Sequence, residues 1–300
     1  MDWRIKGVVQ KTLSVVPGGR TLNDALQRTV GGLRAFDQNV SMKVNDDWVV
    51  LAGHMRELGE PLAGKRYMEI GTGWYPTLPM CFQLAGAADV ITFDLERKLD
   101  QRLTTRMWRE LERHLPAIAE AAGRPLADVR ADYTEPRPFD YRAPADATAT
   151  QLPDESVDVV FSNSVLEHVP RNVIGLMMHE AYRVLRPGGL SIHSVNCGDH
   201  YAYFDKQITF MNYYQFAERD WHFWNNRLLY QNRMRPQDFI ELSEQAGLTT
   251  VIARHSPRPE LLARLPSLKL AAEFQRYSPE QLCCTSVDFV GKKPHEAGAG

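Results

Sequence analysis

The sequence predicts an α/β protein with a mostly parallel sheet, and two blocks of the chain carry this prediction. The first block, Tyr67–Asp94, reads YMEIGTGWYPTLPMCFQLAGAADVITFD and predicts a strand, a glycine turn, a helix and a second strand. The second block, Leu152–Pro170, contains the apolar run VDVVF followed by a polar strand end, as expected of an inner strand of a parallel sheet. Strands that alternate with helices in this way are typical of α/β proteins.

The glycine turn predicts a ligand site. Gly71-Thr72-Gly73 follows the first predicted strand directly, and Glu69 stands just before it. Glycine lets a ligand approach the backbone, because a Cβ atom would collide with it. The second predicted strand ends in Asp94, whose carboxylate can accept both hydroxyls of a ribose. We therefore expect the turn and Asp94 to bind a cofactor that contains a nucleoside.

The pattern of the turn limits the kind of cofactor. It is E-x-G-x-G rather than G-x-G-x-x-G, because Pro76 stands where the third glycine would be. This argues against a dinucleotide pyrophosphate on the following helix, and the carboxylate of Glu69 would repel a diphosphate. A cationic cofactor suits the site better. In these residues the chain resembles the class I S-adenosylmethionine-dependent methyltransferases, whose cofactor has a sulfonium, an amino group and no phosphate.

The second block strengthens this resemblance. The string DVVFSNSVLEHV, at 158–169, is followed by RVLRPGGL at 183–190, and together they are far more specific than the glycine turn. In both strings the chain is similar to the methyltransferase type 11 group of the class I family. The resemblance implies a Rossmann-like sheet of seven strands, mostly parallel, and S-adenosylmethionine as the cofactor. It also implies that the protein is an enzyme.

The resemblance further implies roles for single residues. Gly71 and Gly73 would lie against the cofactor, and Asp94 would bind its ribose. Glu69 would orient the glycine turn or meet the amino end of the cofactor through water. The site residues that the resemblance adds lie after the third and fourth predicted strands: Asp146, at the position that contacts the adenine amino group, Ala147 beside it, and Asn163, at the methionine part or the acceptor.

The catalytic candidates lie in the loop after the fifth predicted strand, Leu190–Val195. Ligands of open α/β sheets bind at the carboxyl ends of the strands, which places Asp199 and His200 beside the transferred methyl group. The pKa range of His200 suits a base near neutrality, and Asp199 or Asp205 could raise its basicity. The alternative is that His200 and Asp199 only tie down the loop, and the sequence leaves both interpretations open.

Other chemistry is not expected. The LEHV string occurs in family members of differing chemistry, so Glu167 and His168 are expected to have a framework role. The nine histidines show no H-E-x-x-H pattern or close pair with metal-ligand spacing, so the sequence predicts no structural metal. A catalytic Mg²⁺ held by scattered carboxylates stays open.

An aromatic-rich insert follows the fifth predicted strand, with eleven aromatic residues between Tyr201 and Tyr230. The rings could form the core of a helical subdomain or the apolar walls of an acceptor pocket. The N-terminal segment looks largely helical and could be a cap on the sheet edge or a lid over the active site. The expected organisation is a helical cap or lid at 1–60, a cofactor-binding core at 61–195, a substrate-side insert at 196–235, the C-terminal part of the core at 236–292, and a disordered tail at 293–300.

Composition narrows the partners and the compartment. The chain has 300 residues, 44% of them hydrophobic, and a formal net charge of −2, so no basic field points to nucleic acid. No run approaches the ~20 apolar residues of a membrane span, and the four cysteines show no C-x-x-C spacing. We expect a cytoplasmic protein without membrane or nucleic-acid partners, and a homodimer is left open.

The predicted function is methyl transfer from S-adenosylmethionine to a small organic molecule, more at oxygen or nitrogen than at carbon. A C-methyltransferase or a nucleic-acid methyltransferase of the same fold is the nearer alternative. The alternatives of a different class are a nucleotide-dependent oxidoreductase, which the E-x-G-x-G turn disfavours, and a binding protein without catalysis. The intact glycine turn and Asp94 argue against a binding protein without catalysis, since a site that has lost its function need not keep these residues.

Overall fold

The computed structural model describes residues 2–19, 22 and 35–295. Its centre is one mixed sheet. The strands in chain order are β1 Arg66–Ile70, β2 Asp89–Phe93, β3 Asp140–Arg142, β4 Val157–Asn163, β5 Leu185–Asn196, β6 Thr249–Arg254 and β7 Ser286–Lys292. They lie in the order β3-β2-β1-β4-β5-β7-β6. Strands β1 to β5 are parallel, and β7 runs antiparallel to both β5 and β6. The predicted fold class is confirmed.

Strand β1 lies between β2 and β4, and this position defines the ligand crevice. Its residues Tyr67–Ile70 are all buried, as are Val159–Asn163 of β4. Strands covered by helices on both faces need such near-continuous apolar runs. The strand order changes direction between β1 and β4, so a crevice opens outside their carboxyl ends. The glycine turn follows β1 at that point.

Helices cover both faces of the sheet. One face packs against the N-terminal helices and those after β1 and β2, and the other against the helices after β4 and before β6. The α-helices are α1 Trp3–Val15, α2 Phe36–Met42, α3 Val49–Glu57, α4 Thr77–Leu84, α5 Gln101–Leu111, α6 Leu115–Ala122, α7 Leu126–Asp132, α8 Arg171–Val184, α9 Glu218–Trp224, α10 Pro236–Gln245, α11 Pro259–Arg264 and α12 Pro279–Leu282. In the described ranges, no helix is both long and apolar enough to cross a bilayer.

Two helices differ from what the sequence predicts, and proline explains both. Apolar residues on one helical face predict a single helix over about 101–122, but a 3₁₀ turn at Glu112–His114 divides it into α5 and α6. Pro116, in the first turn of α6, has no amide hydrogen and cannot continue the preceding helix. The sequence also predicts a helix that begins at Val165, but it starts only at Arg171, after Pro170, and a 3₁₀ turn at Leu166–His168 precedes it.

The N-terminal segment is helical where it is described and has two parts. Residues 35–57 contain α2, a π-helical stretch at Lys43–Trp48 and α3. Trp48 is fully buried, with its ring 4.9 Å from that of Phe82, so this part packs on one face of the sheet domain. Helix α1 packs elsewhere, on the aromatic insert. The predictions for residues 1, 20, 21 and 23–34 fall outside the described residues.

The aromatic insert is mainly core. Trp3 of α1 contacts Tyr201 and Trp224 with ring centroids 5.2 and 4.8 Å apart. Tyr213 and Trp221 are buried in the same cluster. The amide of Trp3 donates to Asp205 at 3.0 Å, which fixes the start of α1 to the insert. Asp205 is therefore a helix anchor here.

Buried polar contacts also hold the chain after β7. Lys293, the first residue of the expected disordered tail, is buried and its ammonium donates to the carbonyl of Leu185 at 2.8 Å. It also pairs with Glu155 at 3.0 Å. The expectation of disorder is therefore wrong for Lys293, because a buried ammonium needs such acceptors. Residues 296–300 lie outside the described ranges.

Candidate functional site

A cavity of about 490 Å³ opens at the carboxyl ends of β1, β2 and β4. It gathers side chains from loops that are distant in sequence, because parallel strands end at the same edge of the sheet. Five of the predicted cofactor-binding residues line it: Gly71, Gly73, Asp94, Asp146 and Ala147. Leu95 and His168 line it as well.

The two glycines of the turn have different structural roles. Both have a left-handed backbone, with φ of +85° at Gly71 and +75° at Gly73, which disfavours other residues. A Cβ atom on Gly71 would come within 2.4 Å of the Val165 side chain, so Gly71 allows close packing between two loops. A Cβ atom on Gly73 would meet nothing within 4 Å. The space beside Gly73 is thus open to a ligand.

Asp94 is held at the tip of β2 by two hydrogen bonds. The amide of Gly73 donates to Oδ2 at 3.0 Å, and the hydroxyl of Tyr141 donates to the same oxygen at 3.3 Å. Neither bond uses Oδ1, so the carboxylate keeps acceptor capacity for a ligand. Burial raises the pKa of Asp94 from its ordinary value, while the bonds from Gly73 and Tyr141 favour the charged form. Leu95, the next residue, is 77% exposed.

Glu69 and Thr72 lie behind the turn and do not line the cavity. The hydroxyl of Thr72 donates to Oε2 of Glu69 at 2.7 Å, and Glu69 is buried. Burial raises the pKa of Glu69 to about 7, with a smaller contribution from Asp94. Of the two roles expected of Glu69, this geometry favours orienting the turn.

Asp146 shapes the opposite wall. Its Oδ1 accepts from the amide of Thr148 at 2.8 Å and from the hydroxyl of Thr148 at 2.7 Å. The carbonyl of Asp94 accepts from the amide of Ala145 at 2.9 Å, which ties this loop to the end of β2. Asp146 and Ala147 are therefore held across the cavity from the glycine turn.

Asn163 lies at the end of β4, outside this cavity. It lines a smaller cavity of about 180 Å³, and Ser164 lines both. The ammonium of Lys43 donates to Oδ1 of Asn163 at 3.2 Å and to Asp47 at 3.3 Å. The N-terminal segment thus reaches the carboxyl end of the sheet, as a lid would. No local signal marks Lys43, because 120 positions of chain separate it from Asn163.

Asp199 does not support His200 as the sequence suggested. Asp199 is fully buried, and its carboxylate accepts from the amide of Tyr201 at 2.8 Å and the side chain of Asn212 at 2.9 Å. It caps the 3₁₀ turn His200–Tyr203. The expected rise in the basicity of His200 is also wrong. Burial, His168 and Lys6 lower the pKa of His200 to about 3, which makes it a poor general base near neutrality.

The structure brings His200 to two residues that the sequence assigned to the framework. The rings of His168 and His200 are 5.1 Å apart, and Glu167 is buried beside them. One ligating atom from each of the three residues lies within 4.8 Å of the others. Burial raises the pKa of Glu167 to about 8. The LEHV string and the histidine after β5 were the available signals, and only the fold shows that they meet.

Fold and cavity together define the class. A sheet of this order, with a glycine turn after β1 and an acidic residue at the tip of β2, is that of an α/β protein that binds a nucleoside-containing cofactor. The family model described as a methyltransferase domain matches residues 68–193, a little under half of the chain. The matched residues contain the whole glycine turn and the LEHV string, so this part of the chain is similar to a methyltransferase domain.

Solved structures also resemble this chain at low sequence identity. One is an S-adenosylmethionine-dependent methyltransferase from Mesorhizobium loti, with 16% identity and a TM-score of 0.44, covering 80% of this chain and 96% of that one. Another is a SAM-dependent methyltransferase from Methanosarcina mazei, with 12% identity and a TM-score of 0.44, covering 78% and 94%. Likenesses this distant say nothing about the acceptor. Among curated proteins, none matches this chain.

Proposed function

We propose that the protein transfers a methyl group from S-adenosylmethionine to an oxygen or nitrogen atom of a small organic molecule. The observation that carries the cofactor assignment is the wall formed by Gly73 and Asp94. There the glycine amide holds the carboxylate at 3.0 Å while the glycine itself leaves open space. The cofactor supplies the methyl group as an electrophile on its sulfonium sulfur.

Different residues of the cavity bind different parts of the cofactor. Asp94 accepts from the ribose hydroxyls, since its Oδ1 is not used by Gly73 or Tyr141. The exposed side chain of Leu95 and the loop of Asp146 and Ala147 hold the adenine, because both line the cavity beyond Asp94. Gly71 and Gly73 lie along the methionine part. Glu69 and Thr72 act through the turn that they support.

A small acceptor fits the second cavity. Its volume of about 180 Å³ is below the roughly 300–1,000 Å³ of ordinary drug-sized ligand sites. The wall is mixed, with the amide of Asn163, the rings of Tyr203 and Phe210, and the guanidinium of Arg258. Ser164 lines both cavities, so the acceptor lies next to the cofactor. Polar groups around a small volume support an acceptor that presents oxygen or nitrogen.

Alignment is the main task of these residues. Methyl transfer from a sulfonium is an in-line displacement, and holding both partners in register can supply much of the rate. Asp47 and Asn163, which both accept from Lys43, line one side of the acceptor cavity, while Tyr203 and Phe210 of the insert line another. These contacts support a lid role for residues 43–47 of the N-terminal segment and an acceptor-side role for the insert at 196–235.

The ribose assignment is tested by Asp94→Asn. Loss of the charge should weaken binding of S-adenosylhomocysteine about 10- to 100-fold, because hydrogen bonds to a charged group contribute about 1.5–3 kcal/mol. Calorimetric titration measures the change. Asp89→Asn is the matched control, since Asp89 lies at the other end of β2 and pairs with Arg66 on the surface. Equal affinity of Asp94→Asn and Asp89→Asn would contradict the assignment.

A further inference from the structure

Three side chains converge at the edge of the cofactor cavity, and we propose that they form a site for a divalent transition-metal ion. The residues are Glu167, His168 and His200, from the 3₁₀ turn after β4 and the loop after β5. One ligating atom of each lies within 4.8 Å of the others, close enough for one ion between them. The ion-binding part stands on these residues alone, and its role in catalysis rests on the proposed methyl transfer.

Each of the three residues is held by a contact outside the cluster, through the ring of His168 and through the backbones of Glu167 and His200. Nδ1 of His168 lies 2.7 Å from the carbonyl oxygen of Tyr230. A proton on Nδ1 donates to this carbonyl and leaves the lone pair of Nε2 free, as in metal-bound histidines. The backbone of Glu167 is fixed as well, because its carbonyl accepts from the amide of Asn232 at 2.7 Å. The amide of His200 donates to Gln231 at 3.1 Å.

Two buried atoms of the cluster call for a partner. Oε2 of Glu167 and Nε2 of His200 are both inaccessible to solvent and make no hydrogen bond to any residue in the described ranges. Glu167 itself is 1% exposed. A buried polar atom without a partner costs about 1–3 kcal/mol, and more for a charged group. A cation between Glu167 and the two histidines would satisfy both atoms at once.

The ligand set selects the type of ion. Two imidazoles and one carboxylate suit Zn²⁺ and other transition ions, whereas Mg²⁺ and Ca²⁺ prefer oxygen ligands throughout. Three protein ligands leave at least one position open, as in catalytic zinc sites. The ring of His168 is exposed and lines the cofactor cavity. The ring of His200 lies 5.7 Å from that of Tyr203, which lines the acceptor cavity. The cluster therefore lies between the two cavities, where an acceptor can reach the open position.

An ion at this site would favour an acceptor that is methylated at oxygen. An acceptor hydroxyl at the open position would lose its proton to solvent more readily, because a cation lowers the pKa of the oxygen that it binds. The oxygen would then attack the methyl carbon. A C–O bond forms, the bond from methyl to sulfur breaks, and its electron pair stays on sulfur to give S-adenosylhomocysteine. An oxygen acceptor is thus favoured over a nitrogen one.

Zn²⁺ titration of the chelator-treated full chain tests the site. Calorimetry should show one Zn²⁺ per chain, and His200→Ala and His168→Ala should each weaken it by at least about 100-fold, since loss of even an outer-shell partner costs roughly 10- to 100-fold. Co²⁺ gives a second readout, because its visible absorption reports imidazole ligands. His222→Ala, an exposed histidine of the insert, is the matched control and should bind as the wild type does.

The outcomes separate this inference from the proposed function. No Zn²⁺ binding, or equal affinity in wild type, His200→Ala and His168→Ala, would overturn the site. His168 has an exposed side chain, so its replacement should leave the fold intact even if His200→Ala does not fold. Zn²⁺ binding that depends on both histidines supports the site whether or not S-adenosylhomocysteine binds. Failure of S-adenosylhomocysteine to bind would count against the proposed function alone.

Discussion

The glycine turn allows a test in which two glycines, separated by one residue, should respond differently to the same change. Gly71→Ala and Gly73→Ala both place a Cβ atom on a left-handed backbone, which costs about 1–2 kcal/mol. At Gly71 the new atom would also come within 2.4 Å of Val165, and such overpacking costs about 1–3 kcal/mol more. At Gly73 it would enter the open space that we assign to the cofactor.

Two assays separate these effects. Urea unfolding should show that Gly71→Ala loses about 2–5 kcal/mol of stability and Gly73→Ala only about 1–2 kcal/mol. Calorimetric titration with S-adenosylhomocysteine should show a loss of affinity of about tenfold or more in Gly73→Ala, the equivalent of about 1.4 kcal/mol. Val165→Ala combined with Gly71→Ala should recover part of the lost stability, because it removes the methyl groups that the new Cβ atom would meet.

Two results would contradict this account of the glycine turn. If Gly73→Ala kept full affinity for S-adenosylhomocysteine while folding normally, the space beside Gly73 would not be the cofactor site. If Val165→Ala failed to improve the stability of Gly71→Ala, the close approach of the two loops would not be the reason for glycine at position 71.

Two further predictions concern buried charge. Burial raises the pKa of Glu69 from an ordinary 4.5 to about 7, so the folded state retains a proton that the unfolded chain has released, and stability falls as the pH rises through this range. Glutamine cannot lose this proton, so the free energy of unfolding of Glu69→Gln relative to the wild type should rise by about 3 kcal/mol between these pH values in urea unfolding. A difference between the two proteins that does not depend on pH would contradict the reasoning. Arg235 is fully buried and donates to the carbonyls of Cys197 and Cys284 at 2.5 and 3.2 Å, so Arg235→Met removes the donor of two buried acceptors and should cost about 2–5 kcal/mol in the same assay. The exposed Arg254→Met is its control at under about 1 kcal/mol, and similar losses for the two would show that Arg235 does not hold the insert.

The sheet and the cofactor crevice could be read from the sequence because their signals are local. Strand β1, the glycine turn and Asp94 follow one another within the first block, and the second block, Leu152–Pro170, contains strand β4 together with its polar end. Each residue is positioned by the strand that it ends. The paired bonds from Gly73 and Tyr141 to Asp94 then follow from parallel strands that end at one edge.

The rest depends on contacts between distant segments, which a single sequence does not show. The bond from Lys43 to Asn163 is one example, and the meeting of Glu167 and His168 with His200 is another. The sequence left two roles open for Asp199 for a different reason. An aspartate before a short helical turn has a second use as its cap, and burial beside Asn212 decides for that use.

The role of the aromatic insert also depends on contacts between distant segments. Composition alone could not separate a hydrophobic core from an acceptor pocket. The structure divides the rings, with Tyr213 and Trp221 in the core around Trp3, and Tyr203 and Phe210 at the small cavity. Since Trp3 lies about 200 positions before these rings in the chain, no sequence window contains the cluster.

The central claim is that the cavity beside Gly73 and Asp94 binds S-adenosylmethionine. Calorimetric titration of the full chain with S-adenosylhomocysteine, with NAD as the parallel ligand, tests it most directly. The account predicts saturable binding of S-adenosylhomocysteine at one site per chain and no binding of NAD. Binding of NAD alone would contradict it, because a pyrophosphate would then lie on the E-x-G-x-G turn that Glu69 and Pro76 make unsuitable.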